Sequence, residues 1–340
     1  MTDLAPPVDA PQHEPGPRPL PLFLDLVRRT GERDPALAAQ ALEGLRLYQL
    51  APRDQPRPAR PIMHQVADSS LRDCGGSGRP IVLIPSLINP PTILDLDPAC
   101  SLANALASHG HVLLVDWGPS AHRPLSLVGH VRERLLPLLA GLDQPATLVG
   151  YCLGGTMALL AAREIAVRAV ATLASPWDFG AYPPSARAAL ERLWRGAAPT
   201  AAVFGALPPE VLQAAFWSLD PDRVVAKFAH FASLDPFSAG ARRFVALEDW
   251  ANTGDPLPLL AAAELIDELF SSNRTGRSDS SSLTDVPTLH FTAANDRIVP
   301  AGTAAPGPCV AVPAGHVGMV VGRAAPAHLH DPLKHWLGQL

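Results

Sequence analysis

The chain has 340 residues, of which 47% are hydrophobic and 17% are charged, and its formal net charge is −5. A chain of this length can bury a large core as one domain with an insertion or as two domains. With this small negative charge, we expect no basic surface of the kind that binds nucleic acid or an anionic membrane. The 4 cysteines have no Cys-x-x-Cys spacing, which argues against a zinc ribbon or a disulfide scaffold and is typical of a reducing cytoplasm.

The N-terminal part of the sequence holds no catalytic motif. Residues 1–17 are rich in proline and polar side chains, and this composition predicts a disordered tail. Amphipathic spacing between Leu20 and Leu50 predicts two helices, so that residues 18–65 form a helical arm that packs onto the catalytic domain. We expect no signal peptide and no membrane span, because the start is acidic and no apolar run reaches about 18 residues. The protein is therefore expected in the cytoplasm.

Short apolar runs alternate with helical patterns through much of the remaining chain. Such alternation predicts a parallel sheet with right-handed helical connections, which is the α/β class of folds. The strand-like runs, some including the loop that follows, are residues 81–84, 111–118, 146–150, 167–174, 286–293 and 309–313.

The sequence around Cys152 is the most informative stretch of the chain. An apolar run precedes it, helix-forming residues follow it, and Gly150 and Gly154 lie two positions to either side. In a sharp turn from strand to helix these positions come so close to neighbouring backbone that glycine is favoured, and the residue at the apex projects above the sheet. A helix N-terminus and a nearby histidine would favour the thiolate. The alternative is a buried, inert cysteine on a glycine-rich turn.

An acidic residue and a histidine follow the last two predicted strands. Asp296 comes after residues 286–293, and His316 comes after residues 309–313. Taken alone, Asp296 could be a helix cap and His316 a turn residue. Together with Cys152 they stand in the chain order nucleophile, acid, base that α/β-hydrolases share. The sequence therefore predicts a Cys-His-Asp triad.

The loop after residues 81–84 is the expected second part of the site. In an α/β-hydrolase this loop supplies one backbone donor of the oxyanion hole, and the amide after the nucleophile supplies the other. We therefore expect the backbone of Leu87 or Ile88 to act together with that of Leu153. The alternative is an ordinary surface loop.

These motifs resemble those of the polyhydroxyalkanoate synthases. The segment from Gly150 to Thr156 is similar to the lipase-like box of that family, and further similar segments are Pro85 to Asn89, Ile93 to Leu96, Val115 to Gly118, Asp296 to Pro300 and Gly315-His316. The resemblance implies an α/β-hydrolase fold with a mostly parallel central sheet and a helical cap. It places the catalytic domain at residues 66–178 and 284–340, with the cap at 179–283. Arg297, where the family usually has histidine, and Ser86 depart from the pattern.

The predicted cap is rich in large aromatic side chains, which we expect to exclude water and to hold acyl chains. An ordinary helical core is the alternative explanation. The expected substrate-binding residues are Asn89, Tyr151, Arg297, Phe216, Trp217 and Trp250. After Phe179, the cap holds ten of the 16 Phe and Trp residues of the chain, namely Trp194, Phe204, Phe216, Trp217, Phe228, Phe231, Phe237, Phe244, Trp250 and Phe270.

The resemblance implies an acyltransferase that polymerises 3-hydroxyacyl-CoA into polyhydroxyalkanoate through a thioester on Cys152. No metal and no cofactor are expected, since coenzyme A enters as part of the substrate. The expected partners are 3-hydroxyacyl-CoA and the growing polyester on a granule, with a homodimer or a partner subunit as open alternatives. Two other functions compete with this one: a cysteine-dependent thioesterase or polyester depolymerase on the same triad, and a non-catalytic granule-associated protein.

Overall fold

The computed structural model describes residues 16–54, 57–98, 100–119, 123–278 and 286–340. Nearly all of the tail predicted at residues 1–17 lies outside these ranges. The chain divides into two compact units. The larger unit is Pro56–Leu219 with Thr253–Leu340, and the smaller is Met1–Gln55 with Asp220–Asn252.

The larger unit is built on an eight-stranded sheet. Its central strands are buried along their whole length, as expected of parallel strands covered on both faces. The strands are β1 (Ile62–Val66), β2 (Ser69–Asp73), β3 (Pro80–Ile84), β4 (His111–Asp116), β5 (Thr147–Tyr151), β6 (Ala169–Leu173), β9 (Thr288–Ala293) and β10 (Cys309–Val312), while β7 (Ala206–Leu207) and β8 (Leu257–Pro258) form a separate short pair.

The strand order across this sheet is β1-β2-β4-β3-β5-β6-β9-β10. Only β2 is antiparallel to its neighbours, and all the other pairs are parallel. This order and the single reversed strand are those of the α/β-hydrolase fold, so the predicted fold class is confirmed. Because the parallel strands share one direction, the loops after β3, β5, β6, β9 and β10 meet at the same edge.

Helices connect these strands and extend the unit beyond the sheet. Pro184–Phe204 is the longest, and it ends at Gly205, whose φ of 71° is the left-handed conformation that glycine adopts readily. The α-helices of the larger unit are α3 (Leu102–Leu106), α4 (Leu127–His130), α5 (Leu136–Ala140), α6 (Leu153–Ala161), α7 (Pro184–Phe204), α8 (Pro209–Ser218), α11 (Leu259–Ala263), α12 (Gly318–Val321) and α13 (Asp331–Leu337).

The hairpin of β1 and β2 was not predicted from the sequence. Its strands carry no alternating apolar pattern, and most residues of β1 are exposed. Tertiary contacts hold them instead: the Ser69 hydroxyl donates to the Trp117 carbonyl at 2.9 Å, and the Arg72 guanidinium donates to Asp116 at 2.6 Å. Pairing of β2 with the buried β4 therefore decides the conformation of a segment whose own residues do not.

The smaller unit contains four helices among its described residues: α1 (Leu20–Gly31), α2 (Pro35–Leu50), α9 (Pro221–Ala232) and α10 (Ala239–Asn252). The two helices predicted between Leu20 and Leu50 are present. Gly44 allows α2 to approach α9 closely, since a Cβ there would lie 1.9 Å from the Phe228 carbonyl oxygen. Edge-on and stacked rings fill the core, with centroid distances between 4.3 and 6.2 Å, contributed by Phe23, Tyr48, Phe228, Phe231 and Phe244.

This core changes the interpretation of the aromatic insertion. Phe228, Phe231 and Phe244 were predicted to belong to a cap. Phe228 and Phe244 pack against rings of the N-terminal arm, and Phe231 stacks on Phe244. Phe204 and Phe237 are largely exposed. The arm and residues 220–252 therefore belong to one compact unit. The sequence had predicted that the arm packs onto the catalytic domain. The boundaries predicted for the cap stay a prediction. None of the described helices is long and apolar enough to span a membrane.

Candidate active site

Cys152 lies at a sharp turn between β5 and α6. Its φ of 54° and ψ of −130° are rare for a residue with a side chain, and such strain is typical of functional positions. The turn is held by a hydrogen bond from the Cys152 amide to the Leu173 carbonyl at 2.9 Å, and it leaves the cysteine partly exposed. The predicted strand-turn-helix geometry around Cys152 is present.

The glycines around Cys152 are required by close backbone approach. A Cβ at Gly150 would lie 2.3 Å from the Gly155 Cα, and a Cβ at Gly154 would lie 2.1 Å from the Ile84 carbonyl oxygen. A Cβ at Gly155 would meet the Ser175 hydroxyl at 2.0 Å. The turn is therefore pressed against the ends of β3 and β6, and this contact places the loop after Ile84 beside Cys152.

Asp296 and His316 come together although twenty residues separate them in the chain. The Nδ1 of His316 lies 2.7 Å from Oδ2 of Asp296, whose side chain is fully buried. The other carboxylate oxygen accepts the amides of Ile298 at 2.8 Å and Val299 at 2.9 Å. With its two oxygens engaged separately, Asp296 has a fixed orientation, and it sets the tautomer of His316 in which Nδ1 carries a proton.

The other side of the His316 ring faces Cys152. Burial on its own lowers the pKa of His316, but the sulfur of Cys152 and the hydrogen bonds to Asp296 and Cys152 outweigh it and raise the pKa from 6.5 to about 10. The structure thus brings the three residues of the predicted triad into one hydrogen-bonded series. Such an arrangement can deliver a sulfur nucleophile, a proton acceptor and a group that orients that acceptor.

Replacing Cys152 by alanine is expected to lower the pKa of His316, because burial remains while the influence of the sulfur disappears. A raised pKa means that His316 contributes stability fully below about pH 6.5 and loses that contribution as the pH rises through about 10. The hydrogen bond to Asp296 remains, so the Cys152→Ala protein should show a smaller decline in stability, and this decline should end at a lower pH. Histidine NMR titration measures the pKa, and denaturant unfolding against pH measures the stability. An unchanged His316 titration would contradict the contact.

Two of the three predicted oxyanion donors have free amides. The amides of Leu87 and Leu153 have no acceptor among the described residues. The Ile88 amide, in contrast, donates to the Ser86 hydroxyl at 3.2 Å, so Leu87 is the better placed of the two and the role of Ile88 stays a prediction. Ser86, the departure from the family pattern, is the residue that occupies it. A hydrogen bond from the Trp117 indole to the Pro85 carbonyl at 3.1 Å holds this loop.

Tyr151 contacts His316, which differs from its predicted contact with substrate. Its hydroxyl donates to the His316 carbonyl at 3.4 Å, and the two rings lie 5.2 Å apart at an angle of 32°. Burial, together with Cys152 and Asp296, raises the pKa of Tyr151 well above its ordinary value, so the hydroxyl stays protonated. Tyr151 is therefore placed to support the position of the histidine.

The remaining residues predicted to bind substrate occupy different parts of the fold. Asn89 is half-buried in the loop after β3, and a Cβ at Gly254 would lie 3.4 Å from its side-chain nitrogen. Arg297 follows Asp296 and is exposed. Phe216 and Trp217 lie on α8 of the larger unit, half-buried and buried. Trp250 lies on α10 of the smaller unit, and its role in binding substrate stays a prediction.

Sequence analysis missed Tyr182, which the fold adds to the surroundings of the triad. The residue follows the turn Phe179–Ala181 after β6, the strand between β5 and β9 in the sheet. Burial, Cys152 and Asp296 raise its pKa well above the ordinary value of a tyrosine. No sequence motif marks Tyr182. Its location in the loop after a buried strand was the one feature of the sequence that could have pointed to it.

The described residues contain no group of three or more His, Cys, Asp or Glu side chains that could hold a metal ion. The expectation that the site needs no metal and no cofactor stays a prediction.

Comparison with known proteins finds polymerase subunits of one kind. No protein-family model matches the chain. It is 23% identical over 294 residues to the poly(3-hydroxyalkanoate) polymerase subunit PhaC of Haloarcula marismortui, covering 76% of this chain and 61% of the relative. It is 24% identical over 295 residues to the same subunit of Haloferax mediterranei, covering 76% and 58%.

Among solved structures, a lipase of Acinetobacter baumannii is similar with 18% identity and a TM-score of 0.48, covering 81% of this chain and 91% of the lipase. The chain spans about three fifths of the length of the two archaeal relatives. The predicted resemblance to polyhydroxyalkanoate synthases is confirmed by these sequence matches, and the chain is similar to poly(3-hydroxyalkanoate) polymerase subunits over three quarters of its length.

Proposed function

We propose that the protein is an acyltransferase that polymerises 3-hydroxyacyl-CoA, with Cys152 as nucleophile, His316 as general base and acid, and Asp296 as the residue that orients it. The observation that carries the proposal is the hydrogen bond of 2.7 Å from Nδ1 of His316 to a buried carboxylate, with Cys152 on the opposite side of the ring. Similarity to named polymerase subunits supports the choice of substrate class.

In the first step the Cys152 sulfur attacks the thioester carbonyl of 3-hydroxyacyl-CoA. A bond forms between Sγ and the carbonyl carbon, and the bond from that carbon to the sulfur of coenzyme A breaks. The free amides of Leu87 and Leu153 donate to the carbonyl oxygen while it is negative. The proton that His316 holds passes to the leaving coenzyme A thiolate, so that free thiol departs and an acyl group stays on Cys152.

In the second step the hydroxyl of another 3-hydroxyacyl group attacks the thioester on Cys152. His316 takes the hydroxyl proton, an ester bond forms, and the Cys152 sulfur leaves. A thiol nucleophile suits this sequence because exchange of one thioester for another conserves the activation of the acyl group until an acceptor arrives. A water molecule attacking the same thioester would give the hydrolase that is the alternative function.

Assembly and location belong to the same proposal. The relatives are named as polymerase subunits, and this chain matches only part of their length. We propose that the protein works on the surface of polyester granules, as a homodimer or with a partner subunit. Sedimentation of the purified protein with and without polyester particles measures both properties.

The deciding experiment follows both products of one reaction. Purified protein is incubated with 3-hydroxybutyryl-CoA, while released coenzyme A is measured with a thiol reagent and the acyl products by mass spectrometry. We expect coenzyme A together with oligomers of increasing mass, some of them bound to Cys152. Release of coenzyme A with only monomeric 3-hydroxy acid, and no acyl group longer than one unit on Cys152, would establish the hydrolase. Absence of any coenzyme A release, with or without polyester primer, would favour the non-catalytic alternative.

A further inference from the structure

Tyr151 connects the turn at Cys152 with the loop that carries His316. It is the last residue of β5, it directly precedes Cys152, and it is 3% exposed. Its ring lies 5.2 Å from the His316 ring at an angle of 32°, and its hydroxyl donates to the His316 carbonyl at 3.4 Å. The side chain therefore contacts both the ring and the backbone of the histidine.

The sheet fixes the position of Tyr151 itself. Strand β5 is buried along its whole length between β3 and β6, and Tyr151 lies opposite Leu173 of β6. The amide of the next residue, Cys152, donates to the Leu173 carbonyl at 2.9 Å. Buried residues of central strands belong to the least mobile parts of a fold, so Tyr151 presents a rigid surface to the His316 ring.

Three residues limit the movement of the His316 ring before any substrate reacts. Nδ1 lies 2.7 Å from Oδ2 of Asp296, Cys152 forms a hydrogen bond with the imidazole, and the Tyr151 ring packs against it. A single hydrogen bond fixes one point of a ring but not its plane. The orientation of the imidazole therefore depends on Cys152 and Tyr151 as well as on Asp296.

The contact with Cys152 is lost when the sulfur is acylated, because the sulfur of a thioester has neither a proton nor a negative charge. Asp296 and Tyr151 are then the contacts that remain from this set. We infer that Tyr151 is a positioning residue, whose ring and hydroxyl hold His316 in place while Cys152 carries an acyl group. This inference rests on the proposed function, in which acylation of Cys152 is the first step.

The second step of the reaction places the larger demand on this contact. His316 must direct Nε2 at the hydroxyl of the incoming 3-hydroxyacyl group and take its proton. A ring that turns away from this orientation reacts less often, so the rate of transfer falls. In the first step Cys152 still holds the histidine. Loss of Tyr151 should therefore slow transfer of the acyl group more than its capture.

Tyr151→Leu tests the inference, because it removes both the ring and the hydroxyl. Cys152 is acylated with deuterium-labelled 3-hydroxybutyryl-CoA, and the labelled group is then chased with unlabelled substrate. Intact-protein mass spectrometry follows the gain of the labelled group and its later loss. We expect Tyr151→Leu to slow the loss about tenfold and the gain by no more than about threefold.

Two further substitutions separate positioning from stability. Tyr151→Phe keeps the ring, so the ratio of the two rates should stay within about twofold of the unchanged protein. Phe179→Leu is the matched control, since it removes another fully buried ring, which packs against Tyr182 and Phe270. It should leave the ratio unchanged. Tyr151→Met, whose flexible side chain refills the space, is made as a second variant in case Tyr151→Leu is unfolded at the assay temperature.

A second measurement needs no turnover. In the Cys309→Ala background, iodoacetamide converts the Cys152 thiolate to a thioether with release of iodide, and the thioether sulfur, like that of a thioester, has neither proton nor charge. NMR then measures how fast the Nδ1 proton of His316 exchanges with water. We expect exchange about tenfold faster in alkylated Tyr151→Leu than in the alkylated parent, and a smaller difference before alkylation.

The outcomes distinguish this inference from the proposed function. If 3-hydroxybutyryl-CoA does not acylate the unchanged protein, the proposed function fails, and exchange of the Nδ1 proton still decides whether Tyr151 holds the ring. Equal slowing of gain and loss in Tyr151→Leu, or the same change of ratio in Phe179→Leu, would overturn the inference. Equal exchange of the Nδ1 proton in the alkylated parent and alkylated Tyr151→Leu would also overturn it. Selective slowing of the loss that Tyr151→Phe restores supports it.

Discussion

Replacing Cys152 by alanine is expected to abolish acyl transfer, with a loss of roughly 10⁴-fold or more in turnover. The Cys152 sulfur lies at the apex of the turn with His316 beside it. Alanine has no nucleophilic atom at this position. The fold should persist, because the cysteine is partly exposed and the turn is held by backbone contacts of Gly150 and Gly154. Release of coenzyme A measures the transfer reaction, and intact-protein mass spectrometry shows whether the protein carries an acyl group.

Cys309→Ala is the matched control for this substitution. Cys309 is an exposed cysteine at the start of β10, and its sulfur lies 3.6 Å from the Gly307 carbonyl oxygen, away from the triad contacts. Its loss should leave turnover unchanged. Substantial coenzyme A release by the Cys152→Ala protein, together with an acyl group on another residue, would show that the nucleophile has been misassigned.

The second large effect is expected for Asp296→Asn, which should slow turnover roughly 10²- to 10⁴-fold without unfolding the protein. The amides of Ile298 and Val299 donate to one carboxylate oxygen, so the oxygen of asparagine must occupy that position. Its NH₂ group then faces Nδ1 of His316, which becomes an acceptor. The ring proton moves to Nε2, towards Cys152, and the histidine can no longer accept a proton there.

Nitrogen NMR shifts of His316 distinguish this mechanism from a general loss of structure. We expect the tautomer with protonated Nδ1 in the unchanged protein at high pH and the tautomer with protonated Nε2 in Asp296→Asn. His316→Ala serves as the reference for complete loss of the base, and its turnover should be no higher than that of the asparagine variant. Near-normal turnover in either variant would rule out the order of roles proposed for the triad.

The triad was predictable because its signals are local in sequence. Gly150 and Gly154 mark a turn whose steric demands act within five residues, and Asp296 and His316 each follow a short apolar run. The buried central strands were predictable for the same reason, since parallel strands covered on both faces need continuous apolar residues. The parallel direction of those strands then followed from the general rules of α/β folds, whereas their order was known only from the structure.

The contacts of individual polar groups were not predictable. Leu87 and Ile88 are neighbours of similar character, and only the position of the Ser86 hydroxyl shows that Ile88 is occupied while Leu87 is free. Tyr151 is the last residue of β5, and only the fold shows that its hydroxyl donates to the His316 carbonyl. Such differences depend on angles and distances between segments far apart in the chain.

The sequence by itself determined the fold class, the strained turn at Cys152 and the choice of the three residues proposed as a triad, because each rests on steric or apolar patterns within one segment. Tertiary structure alone decided that β1 and β2 join the sheet and that rings of residues 220–252 pack with the N-terminal arm. These features arise from burial against distant residues, which a local pattern does not record.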